Sequence, residues 1–219
     1  FEPAGDGKVT AMPKRIDEDP DVFFDLVFDL PSADGGLAEP LRIDQIDWSD
    51  YVLFPGSFNP LHYGHLEMAK WMEYRTGRKV IFQISQHHPV KTHLAFDEEL
   101  LRARLSQFRY RHPVVVTPHH GLYIDKGKLF AGAHILMGAD ALVHMLNFDF
   151  YERGESELRE GLTLCQENGT IFWVVDRRWE GNVLTLKDIE VPFAHRRMFQ
   201  QLSAVNEISS SQIRGQQGR

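Results

Sequence analysis

The chain of 219 residues contains a single cysteine, Cys165, so it cannot close a disulfide on itself. It has no apolar run approaching a membrane span and no signal-peptide pattern of charged, apolar and small residues. Internal repeats and low-complexity tracts are also missing, which removes solenoids and fibrous folds from consideration. Nor is there an excess of basic charge. The formal net charge is −7, and no stretch interleaves Lys and Arg with aromatics in the way nucleic-acid surfaces do. A reducing, cytoplasmic setting is therefore expected, with neither a membrane nor a nucleic acid as partner. With 42% hydrophobic residues, the chain can bury a substantial core in one domain, or in one domain with an appendage.

The acidity is local. Residues 1–50 carry 13 Asp/Glu against 4 Lys/Arg, whereas the remainder carries 18 against 20. The first segment reads as a solvated acidic face, and residues 51–219 are left slightly basic and able to receive an anion. Within the acidic segment, Val22, Phe24, Leu26, Phe28 and Leu30 alternate with Asp25 and Asp29. Pro31 to Gly36 then supply a turn before an apolar run at 37–43. This pattern predicts a β-hairpin, either an appendage packed on the sheet of the main domain or the tail of an upstream domain. The sequence is compatible with self-association or with such a fusion.

From Tyr51 onward strands and helices alternate. Strands are expected at 51–54, 79–85, 114–117, 134–137 and 170–176. Helices are expected near 62–75, 97–111, 139–146, 156–167 and 193–202, with a last one after Ser209. Short connections between alternating β and α units argue for an α/β fold, a doubly wound parallel sheet of Rossmann-like type. The organisation expected is an acidic hairpin segment at 1–50 and one domain at 51–219.

Three stretches carry chemistry. In YVLFPGSFNPLHYGH, the apolar run Tyr51 to Phe54 suits a strand covered on both faces, and Pro55 with Gly56 stops it. Gly56 and Ser57 let backbone N–H groups approach a ligand, and Asn59-Pro60 favours a turn. His62 and His65 then stand three apart in the first turn of a helix, over its unpaired N–H groups and the positive end of its dipole, where an anion belongs. An incidental solvated pair and a two-histidine metal site are the competing readings. The second stretch, His134 to Asp140, is a strand ending in Gly138 and an acidic residue at the carboxyl edge of the sheet. There Asp140 either accepts hydrogen bonds from a ribose or caps the following helix. The third, Ile208 to Arg214, places three hydroxyls ahead of a terminal helix with an arginine one turn in, a donor set suited to phosphates. A serine-capped helix with a solvated arginine is its alternative.

Together PGSFNPLHYGH, MGAD and ISSSQIR resemble the HxGH nucleotidyltransferase superfamily, in the branch of the nicotinamide and nicotinate mononucleotide adenylyltransferases. The motif GxFxPxHxGH is met at Gly56, Phe58, Pro60, His62, Gly64 and His65, and ISSTxIR is met except that Ser211 stands where threonine is usual. The resemblance implies phosphate-contacting roles for His62, His65 and Arg214, a ribose-binding segment at Gly138 and Asp140, and phosphate-binding hydroxyls at Ser210 and Ser211. Gly56, Ser57, Phe58 and Gly64 would line the nucleotide. A family lysine is matched by Lys91, although Val90 replaces the histidine that usually precedes it. The substrates implied are ATP and a phosphorylated small-molecule acceptor, nicotinamide or nicotinate mononucleotide, with Mg²⁺ held mainly by the nucleotide phosphates and no metal site built from the protein alone.

One departure concerns the acceptor. Relatives that adenylate pyridine mononucleotides carry an S-Y-T-x-D-T-L-like helix where this chain has His119 to Phe130. That segment is more similar to the cytidylyltransferase-like domains fused behind CinA-like domains. A cytidylyltransferase acting on a phosphorylated alcohol, or a nucleotide-binding module without catalysis, are therefore the alternatives. Arg177 and Arg178, after the strand at 170–176, read as a surface pair at an edge near the nucleotide. Arg102 and Arg104 read as a solvated helix face, and Trp173 reads as core.

Overall fold

The computed structural model describes residues 25–28, 39–85, 98–108, 112–118, 121–179 and 182–202. An eight-stranded sheet runs in the order β10-β7-β6-β3-β4-β5-β1-β2. Its strands are β1 (Leu26–Phe28), β2 (Leu41–Arg42), β3 (Tyr51–Pro55), β4 (Lys79–Ser85), β5 (Val114–Thr117), β6 (His134–Gly138), β7 (Ile171–Val175) and β10 (Phe199–Leu202). The neighbours from β10 through β5 are all parallel. Two short strands, β8 (Arg177–Trp179) and β9 (Asn182–Leu184), form a separate antiparallel hairpin. The expected α/β doubly wound architecture is present.

Five helices cover the sheet among the described residues: α1 (Tyr63–Thr76), α2 (Glu98–Ser106), α3 (Tyr123–Leu129), α4 (Ala139–Leu146) and α5 (Glu155–Glu167). Strand alternation decides which helices meet which side chains. Val52, Phe82, Ile84, Val114 and Leu136 pack with Met68, Ala69 and Met72 of α1 and Leu101 and Leu105 of α2. Leu53, Ile81, Val115 and Ile135 face the other way, onto Ile124 of α3, Leu142 and Met145 of α4, and Leu158 and Leu162 of α5. Truncating a core side chain such as Met72, which is fully buried, to alanine would cost about 2–5 kcal/mol. Gly77, in the left-handed region at φ 68°, ends α1, and its N–H donates to the Glu73 carbonyl.

The expected hairpin is seen in part, since Val22, Phe24, Leu30 and the turn lie outside the described residues. β1 pairs antiparallel with both β2 and β5, so the hairpin extends the sheet as its edge, and Val27 is completely buried. The helix expected near 193–202 is a correction. The segment is a 3-10 turn, Phe193–Met198, followed by edge strand β10. Phe199 and Leu202 stand three apart, a helical spacing, but in a strand that spacing sends them to opposite faces. Both faces are covered here, so both side chains are buried. The helix expected at 97–111 is shorter, ending at Ser106, and the terminal helix after Ser209 lies outside the described residues. No helix among the described residues is long and apolar enough to cross a membrane.

Candidate functional site

The sheet reverses its winding between β3 and β6. β3 leads through α1 to β4 on one side, while β6 leads through α4 and α5 to β7 on the other. Crossovers leaving in opposite directions open a crevice beyond the carboxyl ends of β3 and β6, and the N-termini of α1 and α4 both start there.

The β3 wall is built by the loop 56–62. A Cβ on Gly56 would meet the Phe58 ring at 2.5 Å, so glycine is required for the ring to fold beneath the loop. Phe58 adopts φ 44°, a left-handed conformation that costs a non-glycine residue about 1–3 kcal/mol. Its ring is buried among Phe54, Phe82 and Phe108, with centroids 5.2–5.5 Å away, and lies 5.0 Å from His65. Phe58 thus serves the loop as an anchor, and its ring faces the core. Helix α2 braces the same loop from outside. Arg104 Nε donates to the Ser57 carbonyl at 2.6 Å. The Gln107 side chain donates to the Phe58 carbonyl at 3.1 Å and accepts from Leu61 N–H at 2.7 Å.

His62 is the N-cap of α1 and His65 its third residue, with Gly64 between them. The two imidazoles stack at 3.6 Å with 24° between their planes. His65 Nδ1 accepts the His62 backbone N–H at 3.2 Å, so a neutral His65 ring carries its proton on Nε2. Burial, then the neighbouring His62 and then Arg177 push the His65 pKa down to about 3. His62 is lowered too, first by burial and then by Arg177. Among the described residues neither ring nitrogen of His62, both buried, has a hydrogen-bond partner. A buried polar group left unmatched costs about 1–3 kcal/mol, and a fold retains such a cost where a ligand supplies the partner.

The β6 wall is of another kind. Asp140, in the first turn of α4, pairs with Arg177 Nε at 3.4 Å. A Cβ at Gly138 would strike the Asp140 carboxylate and come within 3.0 Å of Arg177 Nε, so any larger residue would have to displace the pair from its present geometry. Tyr123, the first residue of α3, belongs to the same cluster: burial and the Asp140 charge raise its pKa while Arg177 opposes them. The buried Lys126 of α3 donates to the Gly121 carbonyl at 2.7 Å, and burial brings its pKa down to about 7.

The structure therefore gathers His62, His65, Gly138 and Asp140 at one crevice, with Gly56, Ser57 and Gly64 in the adjoining loop and helix start. Lys91, Ser210, Ser211 and Arg214 lie outside the described residues. Arg177, read as a surface residue, lies within electrostatic reach of both imidazoles and lowers the pKa of each. Its signal was its place, one residue past the buried Asp176 at the carboxyl edge of β7. Arg104 and Gln107 were missed as braces because nothing local ties them to a loop 46 to 49 residues away. Trp173, half-buried in β7, donates to His134 Nδ1 at 3.1 Å and stacks under Arg75, at the opposite end of α1 from His65. Among the described residues no group of three or more His, Cys, Asp or Glu side chains converges as a metal site would.

A family model for cytidylyltransferase-like proteins matches residues 53–216. Among solved structures, a Plasmodium falciparum nicotinic acid mononucleotide adenylyltransferase complexed with NaAD is similar at 14% identity and a TM-score of 0.41, over 75% of this chain and 82% of that one. A search of curated proteins found no match. The family match runs from β3, through both walls of the crevice, to the ISSSQIR stretch, and on that extent the chain belongs to the cytidylyltransferase-like nucleotidyltransferases.

Proposed function

We propose that the chain transfers the nucleotidyl group of a nucleoside triphosphate, ATP in the first instance, to a phosphorylated small-molecule acceptor, nicotinamide or nicotinate mononucleotide, with release of pyrophosphate. The observation that carries this reading is the His62–His65 pair: two stacked imidazoles at a helix start, one with both nitrogens buried and unpartnered among the described residues, at the switch point and within electrostatic reach of Arg177. Neutral imidazoles offer donors to phosphate oxygens without repelling the Arg177 guanidinium. Anionic phosphates would in turn favour their protonation as charge develops.

In the proposed step an oxygen of the acceptor phosphate attacks the α-phosphorus in line. The new P–O bond forms as the bond to the bridging oxygen breaks, and its electron pair leaves on pyrophosphate. The nucleophile is already anionic, so no general base is needed, and catalysis rests on orientation and on charge stabilisation. His65 Nε2–H and His62 would contact the leaving phosphates, assisted by Arg177. Lys91 and Arg214, with the hydroxyls of Ser210 and Ser211, are proposed to complete the set. Gly138 and Asp140 would take the ribose, which requires Asp140 to share or leave Arg177. Mg²⁺ would enter with the triphosphate, held by phosphate oxygens and water.

The choice of ATP rests on the GAD segment and on ISSSQIR. The choice of acceptor is opposed by the segment at 119–130, which lacks the pyridine-type helix motif, and this favours as second reading a cytidylyltransferase acting on a phosphorylated alcohol. An inactive nucleotide-binding module is the third. Pyrophosphate release with ATP and CTP, each against both pyridine mononucleotides and simple phosphorylated alcohols, separates them. Release with ATP and a pyridine mononucleotide is expected. Release only with CTP and an alcohol phosphate selects the second reading, and triphosphate binding without turnover on every pair selects the third.

A further inference from the structure

The side-chain amide of Gln107 uses both of its donors and one of its two acceptor sites, and two of the three bonds go to the loop 58–61. Its Nε2 donates to the carbonyls of Phe58, at 3.1 Å, and Arg104, at 3.2 Å, while its Oε1 accepts from Leu61 N–H at 2.7 Å. Two donor bonds and one acceptor bond fix the orientation of the amide. Phe58 and Leu61 are the two ends of the turn that delivers the chain to His62. From Leu61 the path continues across one residue to the next backbone amide, His62 N–H, which donates to His65 Nδ1. The left-handed backbone of Phe58 has no propensity to persist by itself. It is held below by the aromatic cluster and above by the amide.

We propose that Gln107 is a positioning residue that sets the placement of the His62–His65 imidazoles and the tautomer of His65 from outside the crevice. It touches no substrate, and acts through the turn at 58–61. This inference rests on the nucleotidyltransferase reading for its kinetic consequence, but not for its structural one. Arg104 holds Ser57, one residue earlier, and cannot replace the bond to Leu61.

The test uses the full chain, wild type and with Gln107→Met or Gln107→Glu. Methionine keeps the apolar stem and removes every polar bond. Glutamate keeps an acceptor for Leu61 N–H and sets a carboxylate oxygen against two carbonyls. Imidazole ¹⁵N spectra report the tautomer and protonation of His65, whose ring faces His62, Phe54 and Phe58 and feels the charge of Arg177. The wild-type ring should hold its proton on Nε2 and stay neutral well into acid. In Gln107→Met it should populate both tautomers and titrate closer to 6.5, the ordinary value. In the pyrophosphate-release assay kcat should fall about tenfold or more with the triphosphate KM changed less than about threefold, the split expected when orientation and not binding is lost. Gln107→Glu should fall between the two. A folded variant with the wild-type tautomer and kcat overturns the proposal, and so does failure of both variants to fold, because Gln107 would then be purely structural. If the wild type turns over no substrate pair, the functional reading fails, while the tautomer measurement still decides the role of Gln107.

Discussion

The β3–α1 and β6–α4 crossovers leave the sheet side by side, yet only one satisfies its own polar groups. On the β6 side Asp140 and Arg177 neutralise each other across the space Gly138 leaves open. On the β3 side His65 gives one nitrogen to the backbone, and among the described residues His62 has both nitrogens buried without a partner. The β6 wall is electrostatically closed, so a ligand must compete for it. The β3 wall is braced by Arg104, Gln107 and Phe58 while its donors remain unused. An anion entering the crevice would gain most where the protein has left most undone, which supports the proposed placement of phosphates against the imidazoles and of the ribose towards Asp140.

The sharpest way to break this contrast is His62→Leu. It removes two unmatched nitrogens from a buried position, so stability should hold or rise by about 1–2 kcal/mol. Turnover should fall by about 10²–10³, the usual cost of losing a charge-stabilising donor. Urea midpoints and pyrophosphate release, measured together, check it. A destabilised protein with near-normal turnover would make His62 a core residue and remove the ground for the site.

Arg177→Ala attacks the other wall, and a smaller loss is expected, about 10- to 100-fold in kcat/KM, since part of the arginine's charge is committed to Asp140. Its second effect runs against intuition. Removing the positive charge relieves one of the causes that hold His62 and His65 neutral, so both should titrate at higher pH than in the wild type. Imidazole titration by NMR tests this directly. Unchanged titration of both rings would show that Arg177 lies beyond electrostatic reach of the crevice.

How much of this was legible follows from where the information sits in the chain. His62 and His65 are three residues apart on one helix, so a motif fixes their relation, and β3, β4 and β6 announced themselves as apolar runs. Gly138 and Asp140 share one turn, and their place at a strand end was readable. The partner of Asp140 was not, because Arg177 reaches it only after a helix, a strand and the sheet register bring β7 beside β6. Gln107 was invisible for the same reason, since an amide in the turn just past α2 looks solvated until its loop is known. Residues 193–202 misled because Phe199 and Leu202 have helical spacing, and only the covering of both sheet faces shows why a strand tolerates it.

The smallest effect concerns acid. His65, at about 3, and His134, at about 4, are both depressed chiefly by burial, from 6.5. An unfolded chain would bind protons at these residues as pH falls below 6.5, whereas the folded chain would not until nearer 4 or 3. Their contribution to stability is thus complete above pH 6.5 and is lost as pH drops through that window. The carboxylates of Asp47, Asp188 and Glu160 are held below their ordinary values by hydrogen bonds from Ser49, Thr185 and Arg153 and lose their contributions at lower pH. Urea unfolding between pH 6.5 and 5 therefore isolates the histidines, and a stability loss on the order of 2 kcal/mol is expected. His65→Gln should remove much of that slope. Saturating tripolyphosphate should flatten it as well, because phosphate oxygens beside His65 favour the protonated ring in the native state. A slope unaffected by either change would assign the acid sensitivity to His134, at the far end of β6, and to His195, also lowered by burial, and leave the β3 wall without its distinguishing chemistry.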